Sequence, residues 1–166
     1  MRTVKIEELT PEAFSPFGCY ADMLSPGGEV FGDSPVRFYR DMIRVPMSHL
    51  RSLPSFSVCR VERRPLVIDI AEIHDYTAEG NIPLDADALV HVAAATPNGE
   101  CPLDRFRVFR IPRGTFFTLN AGVWHHAPFV HGADVLNMLV ALPERTYAND
   151  CVVVPFGEND RIAISE

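Results

Sequence analysis

Apolar and polar residues alternate in short runs along most of the chain, the period of strands buried on one face. Strands are expected over residues 38–45, 56–61, 66–74, 80–84 and 88–95. The series continues over 106–111, 115–119, 123–130, 135–142 and 151–156. Each run is rich in Val, Ile, Phe or Leu and is closed by Pro, Gly, Asn or Asp, residues that turn the chain. Helix signals are few. Thr10 stands as an N-cap before Pro11 at the first helical position, so a short helix starts there and ends at Ser15-Pro16-Phe17-Gly18. Residues 25–35 read as a loop, and 47–53 as one helical turn. The gaps between strands are too short for crossover helices. The pattern therefore predicts an all-β fold, a jelly-roll barrel with a few short peripheral helices.

With 166 residues, 47% of them hydrophobic, the chain holds enough apolar material for one core, and a single domain over 1–166 is expected. Fourteen prolines and ten glycines spread along it fit many short strands. Lys and Arg number 15 against 22 Asp and Glu, a net charge of −7, which argues against nucleic acid or an acidic membrane as partner. No apolar run has the length of a membrane span, and the first residues lack the apolar core of a signal peptide. Cys19, Cys59, Cys101 and Cys151 are far apart and form no CxxC pair. They read as reduced thiols, and the cytoplasm is the expected location.

Two stretches carry the chemistry. In Asn120-Ala121-Gly122-Val123-Trp124-His125-His126, a Gly turn leads into two adjacent histidines and the only tryptophan. Strand alternation sends His125 and His126 to opposite faces unless the chain bends. In the second stretch, Glu72 and His74 stand two apart and share a strand face, and Glu79 follows after a four-residue turn. Imidazole with carboxylate suits divalent Ni, Fe, Mn, Co or Zn, and His125 is the natural third ligand from across a barrel.

His74, four residues, Glu79 and the later Gly122-Val123-Trp124-His125 resemble the two halves of the cupin metal motif. Glu72 stands where that motif opens with His, as a ligand or as an orienting group for His74. A closer resemblance covers residues 11 to about 155. Pro11-Glu12-Ala13-Phe14-Ser15-Pro16-Phe17-Gly18, Phe56-Ser57-Val58-Cys59-Arg60, Glu72-Ile73-His74 with Ile82-Pro83-Leu84, Val123-Trp124-His125-His126 and Asn149-Asp150-Cys151 resemble segments of the ureidoglycolate lyase family, in the same order. Glu79 stands where that family usually carries Gln, a departure toward the metal cupins.

The resemblance implies a lyase that splits ureidoglycolate into glyoxylate and urea in allantoin breakdown, with a divalent metal, nickel in some members, and a homodimer. On this reading the metal ligands are His74, Glu79, His125 and Glu72. His126 is the candidate general acid or base, with Tyr76 a second. Arg60, Arg37 or Arg40 would clamp the substrate carboxylate, and Trp124 is core or a pocket wall. His91 reads as a satisfied core histidine, His49 and His131 as exposed, and Asp69 and Asp75 as facing water. Two alternatives stay open: a cupin that binds metal or a small ligand without turnover, and a cupin isomerase or lyase acting on a sugar acid.

Overall fold

The computed structural model of the protein describes residues 1–32, 34, 37–47 and 52–166. The chain opens with β1 (Arg2–Glu8) and the helical turn α1 (Pro11–Phe14). As expected, the Thr10 hydroxyl caps that turn, accepting from Ala13 N at 3.2 Å. Three short strands follow: β2 (Tyr20–Asp22), β3 (Val30–Phe31) and β4 (Phe38–Tyr39). Then come the long β5 (Pro54–Glu62), β6 (Val67–Ile68), β7 (Ile70–Ile73), β8 (Glu79–Pro83) and β9 (Asp87–Val92). The second half contains β10 (Arg107–Ile111), β11 (Thr115–Leu119), β12 (Phe129–His131) and β13 (Val135–Pro143). A last helical turn, α2 (Thr146–Asn149), leads to β14 (Val152–Pro155) and β15 (Ile162–Ser165). Among the described residues no helix is long and apolar enough to cross a membrane.

Two sheets carry the architecture, one ordered β12-β9-β10-β1-β15-β6 and the other β2-β11-β8-β13-β5. Side-chain alternation on β9 shows how they are buried. Ala88, Val90 and Val92 face Phe117, Leu119, Leu136 and Met138 of the other sheet, and this is the main core. Leu89 and Ala93 point the opposite way, into a second core with Trp124, Phe129, Ile162 and Ile164. Phe14 plugs α1 into the main core, edge-on to Phe109 at 5.3 Å and Phe117 at 6.1 Å. The result is the expected all-β fold of two packed sheets with only two short helical turns among the described residues.

Several element boundaries differ from expectation. The expected strand over 66–74 divides, because β6 pairs with β15 whereas β7 pairs with β14. At the break, the Asp69 carbonyl accepts from Phe156 N at 2.8 Å. Of 123–130 only the end is a strand. Trp124 and His125 each make a single bridge, to Ala93 and Glu72. Over 38–45 only Phe38–Tyr39 pairs, and it does so with β3 inside the expected loop. The helical turn expected over 47–53, with His49, falls largely on 48–51, outside the described residues. β1 was not anticipated; it lies parallel between β10 and β15.

His91 is buried as expected but is not satisfied. Neither ring nitrogen has a hydrogen-bond partner among the described residues, and the ring packs 5.8 Å from Phe106 and 5.7 Å from Phe129. Burial pushes its pKa down to about 3, and the Ile70 backbone, which pulls the other way, does not reach hydrogen-bonding geometry. Asp69 and Asp75 are exposed, whereas His131 is half-buried.

Candidate metal centre and cavity

Backbone pairing brings the donors together. His125 N donates to the Glu72 carbonyl at 2.9 Å, and directly opposed residues in an antiparallel bridge share a face. His74, two residues beyond Glu72, falls on that face too. Gly122, in left-handed backbone at φ 80, closes the approach: its N–H donates to the His74 carbonyl at 2.7 Å. Glu79 opens β8 and reaches the same point from the next strand.

There, one carboxylate oxygen of Glu79 lies 3.3 Å from His74 Nε2 and 3.3 Å from His125 Nε2. Glu72 Oε1 is 3.9 Å from His125 Nε2, and donor atoms of Glu72, His74 and His125 all lie within 4.8 Å of one another. Both imidazoles are oriented from behind. His74 Nδ1 donates to the Asp150 carbonyl at 2.6 Å and His125 Nδ1 to the Val123 carbonyl at 2.9 Å. A carbonyl only accepts, so each Nδ1 carries a proton and each Nε2 is the nitrogen turned to the centre. Metal-ligating histidines give their far ring nitrogen to such an acceptor, which fixes the ring, and two imidazoles with two carboxylates fit a divalent cation.

The electrostatics follow. Burial works to raise Glu79, but the facing imidazoles of His125 and His74 hold it well below the usual carboxylate range. Burial opposes charge on His125, yet the Glu79 carboxylate outweighs it and raises this imidazole to about 9. Cys151 donates to Glu72 Oε2 at 3.4 Å; burial, then Glu72, pushes its thiol up to about 11.

The centre opens into a cavity of about 220 Å³ walled by β5, β8, β11, β13 and the α2 turn. Ser55, Ser57, Cys59, Asn81, Met138 and Val140 are among its lining residues, as are His126, Arg145 and Tyr147. His125 and His126 both line it because the chain bends after the single bridge. Arg64 holds that bend, donating to the Ala127 and Pro128 carbonyls at 2.9 and 3.1 Å. His126 Nδ1 is buried with no partner among the described residues, and burial lowers its pKa.

The remaining expected site residues are not brought to the cavity. Arg60 alternates with the inward Cys59, so it leaves the outer face of β5 and donates to Asn137 Oδ1 at 3.3 Å. Arg40 pairs with Glu29 on an exposed loop, and Arg37 is exposed beside β4. Trp124 is wholly buried in the second core, because its bridge to Ala93 turns it opposite to His125. Tyr76 is 68% exposed and absent from the lining. The arginine that does line the cavity, Arg145, lies just after β13, where strand periodicity carries no information.

The profile of the ureidoglycolate lyase family matches residues 1–163, nearly the whole chain. The protein belongs to the ureidoglycolate lyase family. Among curated relatives, the ureidoglycolate lyase of Stutzerimonas stutzeri is 31% identical over 129 residues, covering 76% of this chain and 75% of that one. The ureidoglycolate lyase of Pseudomonas syringae pv. tomato is 30% identical over 173 residues, with coverage of 99% and 96%. Of solved structures, Bacillus subtilis oxalate decarboxylase aligns with a TM-score of 0.43 at 17% identity, over 63% of this chain and 24% of that one. A dTDP-6-deoxy-D-glucose-3,5-epimerase from Legionella pneumophila aligns with a TM-score of 0.46 at 12% identity, over 82% and 79%.

Proposed function

We propose that the chain cleaves ureidoglycolate to glyoxylate and urea in this cavity, assisted by a divalent ion held by His74, Glu79, His125 and Glu72. Nickel is the leading ion, with Mn, Fe and Zn as alternatives. The convergence of two rear-anchored imidazoles on one Glu79 oxygen supports the reading most directly. Such an ion would hold the substrate carboxylate and hydroxyl together and lower the hydroxyl pKa.

The protein's own part is proton transfer and confinement. His126, on the cavity wall beside His125, takes the hydroxyl proton. The oxygen's electron pair then forms the aldehyde C=O, and the C–N bond breaks with its electrons leaving on the urea nitrogen. That nitrogen gains a proton, which His126 returns. Met138, Val140, Phe117 and Leu119, on the strands that flank β8, make much of the lining apolar, which limits water around the departing urea.

The chain acts as one domain, since side chains of both large sheets share a core. The cytoplasm suits its four free cysteines, which stay reduced there. A homodimer is supported by β5, which ends its sheet with Phe56 68% and Val58 58% exposed. Antiparallel pairing of two copies about Val58 would set each Phe56 opposite Arg60 of the second copy.

The test is to incubate metal-loaded protein with ureidoglycolate while following urea, ammonia and glyoxylate separately. Equal amounts of urea and glyoxylate are expected. Ammonia in place of urea would mean hydrolysis of the ureido group, and absence of turnover with all four ions would leave a binding module.

A further inference from the structure

An anionic substrate entering this cavity meets two carboxylates, Glu72 and Glu79, in a protein of net charge −7. The divalent ion proposed above would offset those two charges and take one oxygen of the substrate carboxylate, which leaves its second oxygen to a fixed cation on the wall. Among the described residues, Arg145 is the only lysine or arginine that lines the cavity.

Three further observations bear on it. Arg145 has φ 63 and ψ 21, one of only two non-glycine residues with positive φ among the described residues. An arginine gains nothing from left-handed backbone, and such positions persist where the surroundings and function require them. Arg145 is exposed, and its guanidinium makes no hydrogen bond or ion pair among the described residues; the same holds for Arg2, Arg37, Arg44, Arg105, Arg113 and Arg161, but none of these lines the cavity. Its backbone, in contrast, is fixed: the Arg145 carbonyl accepts from Ala148 N at 2.9 Å and Asn149 N at 3.1 Å. The same short segment ends at Asp150, whose carbonyl orients His74.

We infer that Arg145 binds the substrate's carboxylate at the cavity wall and so selects 2-hydroxy acids over their neutral amides. The inference rests on the cavity being the site of a carboxylate substrate, as proposed above. A guanidinium offers two parallel N–H donors that match a carboxylate, a geometry that lysine cannot reproduce.

The test compares glycolate with glycolamide, which differ only in the acid group, by calorimetric titration of nickel-loaded protein. Arg145→Asn is the main variant, because Asn tolerates left-handed backbone and preserves the turn. Arg145→Lys keeps the charge without the fork. Arg145→Asn should weaken glycolate roughly tenfold to a hundredfold, the worth of a hydrogen bond to a charged group. Its glycolamide affinity, nickel affinity and melting temperature should match the native protein, and Arg145→Lys should fall between. Unchanged glycolate affinity would overturn the inference, because the ion alone would then be reading the acid. Equal losses for glycolate and glycolamide would also overturn it, because Arg145 would then only shape the wall. The proposed reaction fails separately, if native protein binds glycolate through Arg145 yet leaves ureidoglycolate intact.

Discussion

His74 is held by Asp150. The ring Nδ1 donates to the Asp150 carbonyl at 2.6 Å, while the Asp150 side chain accepts from Asp75 N at 2.8 Å and Tyr76 N at 3.0 Å. One residue thus fixes the histidine and the turn that follows it on the way to Glu79. Asp150→Ala should cost about 1–3 kcal/mol of stability, because two backbone donors lose a charged acceptor. The carbonyl that accepts from His74 is backbone and survives the substitution, so nickel affinity should fall by less than the roughly tenfold that loss of a ligand's supporting partner usually costs. Denaturant unfolding and calorimetry measure the two effects, and a tenfold or larger loss of nickel affinity would mean that the Asp150 side chain also holds its own carbonyl in place.

His91 predicts a pH dependence of stability. Its folded pKa, about 3, lies below the ordinary 6.5 because burial disfavours the charged ring. The unfolded chain therefore takes up the proton first as pH falls. The stability that depends on a neutral His91 is complete above about pH 6.5 and is lost progressively toward pH 3. His91→Leu removes the titrating group and two unsatisfied nitrogens, so its stability should decline less steeply over that window. Urea unfolding at a series of pH values checks this; parallel curves for the two proteins would contradict it.

Gly18 sits where α1 hands over to β2 against β11. A Cβ there would lie 1.8 Å from the Thr118 carbonyl oxygen, a backbone atom that cannot step aside. Gly18→Ala should cost about 3 kcal/mol or more, at the upper end of overpacking effects. Gly27→Ala, where a Cβ meets nothing within 4 Å, should change stability by less than about 0.5 kcal/mol. Thermal unfolding of the pair provides the comparison.

Local chemistry made some of this legible in the sequence. β11 falls on the expected 115–119, and the Thr10 cap with Pro11 starts α1, because both depend on neighbouring residues alone. Period-two spacing placed Glu72 and His74 on one face, and a short turn returned Glu79 beside them. Residues 66–74 misled for a physical reason: apolar spacing records burial, not which strand is the partner, and the partner changes at Asp69. Residues 123–126 read as strand because they are buried like one, yet each bridge is a single residue long. The arginines were the least legible. Which of them reaches the cavity depends on a left-handed turn at Arg145 and on sheet faces set by long-range pairing.

The central claim, that Glu79 with His74 and His125 holds a divalent ion, is tested most directly by titrating native protein and Glu79→Gln with nickel and manganese in a calorimeter. Gln keeps the shape but replaces charged oxygen with an amide, and divalent ions bind the latter more weakly. The account predicts a loss of at least about tenfold in affinity, or about 1.4 kcal/mol, with the fold intact. Equal affinities of the two proteins would contradict it.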